Sequence, residues 1–131
     1  MSYITNIIKN TTENSNFREV LFTGQKSQLV VMDIPAGGEI GEETHAHVEQ
    51  TIFILSGSAK AILDGEETEM NTGDVVVVTP GTKHNVVNTG AGNLKVYTIY
   101  APANHIDGII HVTKADADAD VKDEAFGEAV M

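Results

Sequence analysis

Three histidines in this 131-residue chain have the type and spacing to do chemistry. His45 and His47 sit one residue apart in HAHVEQTIFILSG, and His84 lies far along the chain in TPGTKHNVVN. A strand alternates its side chains, so an HAH run within one places both rings on the same face. Imidazole is the commonest neutral metal ligand, and three converging rings make most of a metal's ligand set. An HxH pair by itself is as readily an exposed strand pair that binds nothing. The elements around it must decide.

Composition limits the partners. The chain has 19 acidic and 8 basic residues, a net charge of -11. Nucleic acid needs a basic face, so that class is excluded. The absence of cysteine excludes disulfides and thiol chemistry. No apolar run approaches the length of a membrane span. The start, MSYITNIIKN, has neither a basic beginning nor a continuous apolar stretch. A cytoplasmic protein without a leader or a membrane partner is therefore expected.

The pattern reads as one domain over residues 1–131, with a core over roughly 17–113. An arm over 1–16 carries Ile4, Ile7 and Ile8 at helical spacing, set to lie on the main body. From Phe17 onward the signals are those of strands. FREVLFTG, QLVVMDIP, the HAH stretch with 50–56, AKAIL, EETEM, DVVVVT, HNVVN and LKVYTIYA are separated by turn chemistry, Asp64-Gly65 being the strongest. DVVVVT is apolar on both faces, as a buried strand would be. Many short strands with turns between them predict an antiparallel sandwich or barrel. The tail, 114–131, is rich in alanine and acid. Asp116, Asp118 and Asp120 resemble the start of a calcium loop, but Val121 and Gly127 stand where that loop needs glycine and glutamate. A solvated helix or frayed terminus is expected there.

With the strands in place, the histidine stretches resemble the two motifs of the cupins. The second motif matches through Gly73, Asp74, Gly81, His84 and Asn88, with Pro80 one position late. The first matches at His45 and His47. Gly38 lies one residue too far upstream, and Gln50 stands where the register to Gly57 asks for glutamate. The resemblance implies an all-β fold, a single double-stranded β-helix (jelly-roll) barrel. It also implies a divalent transition metal (iron, manganese, nickel, cobalt or zinc) on His45, His47, Gln50 and His84. Strict alternation from the histidines would instead make Glu49 the fourth ligand, whereas a bulge would bring in Gln50 and set Ile52 and Ile54 behind it. Glu49 is also a candidate base if it lies near the ion but not on it.

The function this resemblance implies is a metal-binding cupin acting on a small molecule. It would be a metal-dependent isomerase like phosphomannose isomerase, or a dioxygenase. The alternative is a non-catalytic module that binds a sugar or other metabolite. His105 and His111, in NHIDGIIH, read as ordinary loop and strand histidines, with an extra site as the sharper reading. Phe53 and Leu55 point outward if Ile52 and Ile54 point inward. That exposed apolar face predicts a homodimer.

Overall fold

A computed structural model describes residues 1–130. Two antiparallel sheets face each other. The first runs β10-β1-β2-β9-β4-β7 and the second β3-β8-β5-β6. In chain order the strands are β1 (Arg18–Thr23), β2 (Gln28–Ile34), β3 (Glu43–Thr44), β4 (Glu49–Ser56), β5 (Ser58–Leu63), β6 (Glu66–Asn71), β7 (Val75–Val78), β8 (Lys83–Asn88), β9 (Leu94–Ala101) and β10 (Ile110–His111). The helices are α1 (Ile7–Glu13), α2 (Lys114–Ala119) and α3 (Val121–Val130). The all-β jelly roll holds, but the two sheets do not close into a barrel.

The core fills the space between the sheets. Val30, Met32, Ile34, Ile52, Ile54, Leu94 and Val96 project from the larger sheet toward Ala59, Ala61, Met70 and Val86 of the smaller one. Small alanines opposite branched side chains let the layers interlock at close packing. β9 alternates buried and half-buried residues along its whole length, as a strand with one face on the core does. Its inward residues turn polar toward the end, from Leu94 and Val96 to Thr98 and Tyr100. Register puts Tyr100 opposite both Gln28 and Gln50, so one end of the inner face is polar.

Three expectations need correction. His45 and His47 are not in a strand; they lie in the bend that joins β3 to β4. The valines of β7 are not buried on both faces. β7 is an edge strand, and Val75 and Val77 are about half exposed (49% and 52%). The arm does form a helix, capped by Asn6, whose side chain accepts from the Lys9 N–H. Its buried residue is Thr11, whereas Ile4 and Ile8 are exposed. Thr11 Oγ1 donates to the Ile7 carbonyl, so a small residue with a satisfied hydroxyl can sit flush on the sheet.

The tail is the largest departure. It is helical, but it is not free in solvent. Thr113 and Asp116 form a capping box at the start of α2. Asp120 caps α3 by accepting from the Asp123 N–H. Asp123 and Gly127 of α3 are buried. A side chain at Gly127 would come within 3.1 Å of the Asn104 carbonyl, so glycine there lets the helix dock.

Candidate ligand cavity

The bend at Ala46-His47 decides which side chains enter the interior. His45 and Val48 are buried, while Ala46 and His47 are exposed. The bend absorbs one residue of alternation, so that Gln50, Ile52 and Ile54 all face inward and Glu49 faces out. The Gly81 N–H donates to the His45 carbonyl at 2.7 Å and fixes the bend to the Pro80-Gly81 turn. His84, opposite Glu43 in the smaller sheet, meets Gln50 across the gap between the sheets, with 3.2 Å between Nε2 and Oε1. The His45 and His84 rings lie 5.2 Å apart between centroids. The fold thus brings together His45, Gln50 and His84, and leaves His47 and Glu49 outside.

With His47 in solvent, this donor set lacks the third histidine that the resemblance implies for a metal. Among the described residues no three histidine, aspartate or glutamate side chains are grouped to hold an ion. Both nitrogens of His84 are engaged, Nδ1 with the Thr82 carbonyl at 2.9 Å and Nε2 with Gln50. Burial first, with the nearby His45, pulls its pKa below 6.5 despite that carbonyl, so the ring is neutral. A neutral ring with its proton on Nδ1 turns the Nε2 lone pair toward Gln50 Oε1, while the Gln50 amide nitrogen donates to Thr98 Oγ1 at 3.2 Å.

A different place offers room for a ligand. A cavity of about 440 Å³ lies between the sheets and the C-terminal helices. Arg18, Glu43, His45 and His105 line it from one side, and Asp118 and Asp123 from the other. Arg18, His45 and His105 are all nearly fully buried, and each keeps a polar nitrogen without a partner. Glu43 Oε2 is 2.9 Å from His45 Nε2 but off the direction an N–H would take, so both nitrogens of His45 lack an aligned partner.

Two relays from the tail hold this wall in place. Asp120 Oδ2 accepts from His111 Nε2 at 2.9 Å, leaving Nδ1 to accept from Arg18 Nη1 at 3.3 Å. Asp123 Oδ2 accepts from His105 Nδ1 at 2.7 Å, and its Oδ1 accepts from the Ile106 N–H, also at 2.7 Å. Tyr100, near Arg18, packs against the edge of the His105 ring, and burial pushes its hydroxyl up to about 12. Sequence reasoning set aside His105 and His111 as ordinary and did not single out Arg18, the chain's sole arginine. A lone arginine in a chain of net charge -11 was the available signal.

The same groups set the pH response. Burial pulls His105 below its ordinary 6.5 in spite of Asp123, so the folded protein keeps it neutral. The unfolded chain takes up that proton as pH falls below about 6.5, and the folded form does not until its lower pKa is reached. Burial raises Asp123 and Glu43, but the hydrogen bond or contact with a histidine and nearby positive charge outweigh it and hold both below their ordinary values. Their stabilisation is complete above their unfolded pKa values and is lost as pH falls through the folded ones. Thermal unfolding followed against pH is expected to show an early loss beginning near 6.5 and a second below about 4.5. His105→Gln should weaken the first stage, leaving the part that the neutral His84 contributes, and keep the second. A midpoint that stays flat from pH 7.5 to 5.5 would refute this assignment.

Residues 30–100 match the family Cupin_2, the cupin domain, and span more than half of the chain. The chain belongs to the cupin family. The uncharacterized protein YrkC of Bacillus subtilis (strain 168) is 39% identical over 121 residues, which cover 88% of this chain and 65% of YrkC. This cupin thus spans just under two thirds of that relative's length. The crystal structure of BH2720 from Bacillus halodurans superposes with a TM-score of 0.89 at 35% identity, covering 91% of this chain and 95% of that one. A Klebsiella pneumoniae protein with a double-stranded β-helix domain superposes with a TM-score of 0.67 at 25% identity, covering 86% of this cupin and all of that chain. No described helix is long and apolar enough to cross a membrane.

Proposed function

We propose that this cupin binds and acts on a small polar molecule in the cavity beneath the C-terminal helices. The observation that carries the reading is the cavity of about 440 Å³, lined by the buried Arg18, His45 and His105 together with several carboxylates. A ligand that hydrogen-bonds this polar lining stabilises the fold by binding it.

Of the reactions that suit a cupin, dioxygenase chemistry needs a redox metal held by several strong ligands. His45, Gln50 and His84 offer three neutral donors, and His47 stands in solvent. Isomerisation needs only a proton moved within the substrate, and the cavity has imidazoles for that. Proton-transfer isomerisation is therefore the favoured reading, with a non-catalytic sugar or metabolite module as the alternative. Thermal-shift screening against sugars, sugar phosphates and small carboxylic acids tests the binding. At least one compound should raise the midpoint of the native protein and fail to do so with Arg18→Met. If none does, the cavity reading falls.

Metal content is a separate check. Protein purified without chelators is expected to carry well below one equivalent of transition metal, unchanged in His47→Ala. Near-stoichiometric metal that His47→Ala abolishes would reinstate the three-histidine site, and would require the 45–48 bend to turn inward.

A further inference from the structure

We propose that the cavity beneath the C-terminal helices takes a hydroxylated small molecule that carries an ammonium group, an amino sugar, and that Glu43, Glu124 and Glu128 select it by charge. The proposal rests on the small-molecule reading above and names the ligand class. Six carboxylates line the cavity, those of Glu42, Glu43, Asp118, Asp123, Glu124 and Glu128. Three are already matched. Glu42 pairs with Lys83 at 3.2 Å, Asp118 with Lys114 at 2.9 Å, and Asp123 with His105. Among the described residues the other three have no lysine or arginine within ion-pair distance; Glu43 meets only His45. All three are exposed, so a ligand that enters the cavity meets them. The one arginine or lysine of the lining is Arg18, which is buried and held by His111.

α3 places its two acids where the helix itself disfavours them. Asp123, Glu124, Gly127 and Glu128 share the face turned to the cavity. Glu124 and Glu128 stand one turn apart, and like charges at that spacing repel. Glu128 also lies in the last turn, where the helix dipole favours a cation, and that turn has no basic residue. A bound ammonium group offsets both repulsions.

A second observation comes from the opposite wall. Asn104 lines the same cavity and is 4% exposed, and its Oδ1 has no partner. That oxygen is turned toward the cavity face of α3, since a side chain at Gly127 would come within 3.4 Å of it. A buried acceptor left open beside three unpaired carboxylates asks for hydrogen-bond donors. An ammonium group has three donors and no acceptor, and its hydrogen bonds to carboxylates are charge-assisted. A phosphate or carboxylate ligand would meet like charge instead.

The experiment is calorimetric titration at low salt, with thermal shift in parallel, at a pH where the amine is charged. The probes are glucosamine and galactosamine, their neutral counterparts glucose and galactose, the acid glucuronate, and magnesium chloride alone. An amino sugar should bind at least about tenfold more tightly than its neutral counterpart, and glucuronate more weakly than either. Raising the ionic strength should narrow the difference. Glu124→Gln and Glu128→Gln should each weaken amino-sugar binding about two- to fivefold, and the pair about tenfold, with little effect on the neutral sugar. Both residues are exposed, so the variants should stay folded. Glu66→Gln, an exposed acid of β6 outside the cavity, should change nothing and so separates local from net charge. Neutral or acidic sugars that bind as tightly as the amino sugars overturn the proposal and leave the small-molecule reading standing. So does amino-sugar binding untouched by the double variant, or a thermal shift of equal size from magnesium chloride alone. No binding by any compound of the panel overturns both.

Discussion

Gln28→Leu is expected to destabilise this cupin by on the order of 3 kcal/mol or more and to disorder the wall of the cavity. Gln28 is almost fully buried (1% exposed), and its amide makes four hydrogen bonds. Nε2 donates to Thr23 Oγ1 and the His105 carbonyl, both at 2.8 Å. Oε1 accepts from the backbone N–H groups of Asn104 at 3.2 Å and His105 at 3.0 Å. Leucine fills the same space but leaves three backbone groups of the 104–105 loop buried without partners. Each costs about 1–3 kcal/mol, reduced where water can enter. Total stabilities are only about 5–15 kcal/mol, so the loss is a large share. Urea unfolding reads it directly, and Gln25→Leu, on the exposed turn beside β2, serves as a control within about 0.5 kcal/mol. His105 should lose its fixed tautomer in the same variant. A shift below 1 kcal/mol would mean that the loop does not depend on this amide.

The native protein is expected to sediment as a dimer, and Val77→Lys as a monomer that keeps its fold. The outer face of the larger sheet carries the Phe53 and Tyr97 rings, stacked at 4.7 Å, beside Val75 and Val77 of the edge strand. α1 packs over part of this face, on β2, β4 and β9, and buries Val31. It does not cover β7, and its Ile8, like Ile4 ahead of it, is in solvent. The arm therefore adds apolar surface of its own beside this face. Covering each of these side chains contributes about 1.5–3 kcal/mol. A two-fold pairing buries the same patch on both copies and also protects an exposed edge strand. Val77 is half exposed and contributes little to the core, so a lysine there tests association without testing folding. Sedimentation of the native protein as a monomer at micromolar concentration would refute the dimer.

Much of this fold was legible in the sequence because strands and turns are local. The alternation of LKVYTIYA, the Asp64-Gly65 turn, with φ of 49° and 85°, and the glycines at 73 and 81 each state their conformation within a few residues. The two histidine motifs are also local, and they led to the family. Periodicity alone could not say where a bend would absorb a residue. His45 enters and His47 leaves because the Pro80-Gly81 turn, some 35 positions away, anchors the backbone at His45. Nor could composition tell a solvated acidic tail from a docked one. Asp120 and Asp123 acquire their roles only when α3 meets His111, His105 and, through His111, Arg18, whose buried nitrogens need those carboxylates. The sequence by itself determined the strands, their turns and the family. Tertiary structure decided which polar groups are buried together, because the cost of an unpaired buried group depends on neighbours that chain order does not name.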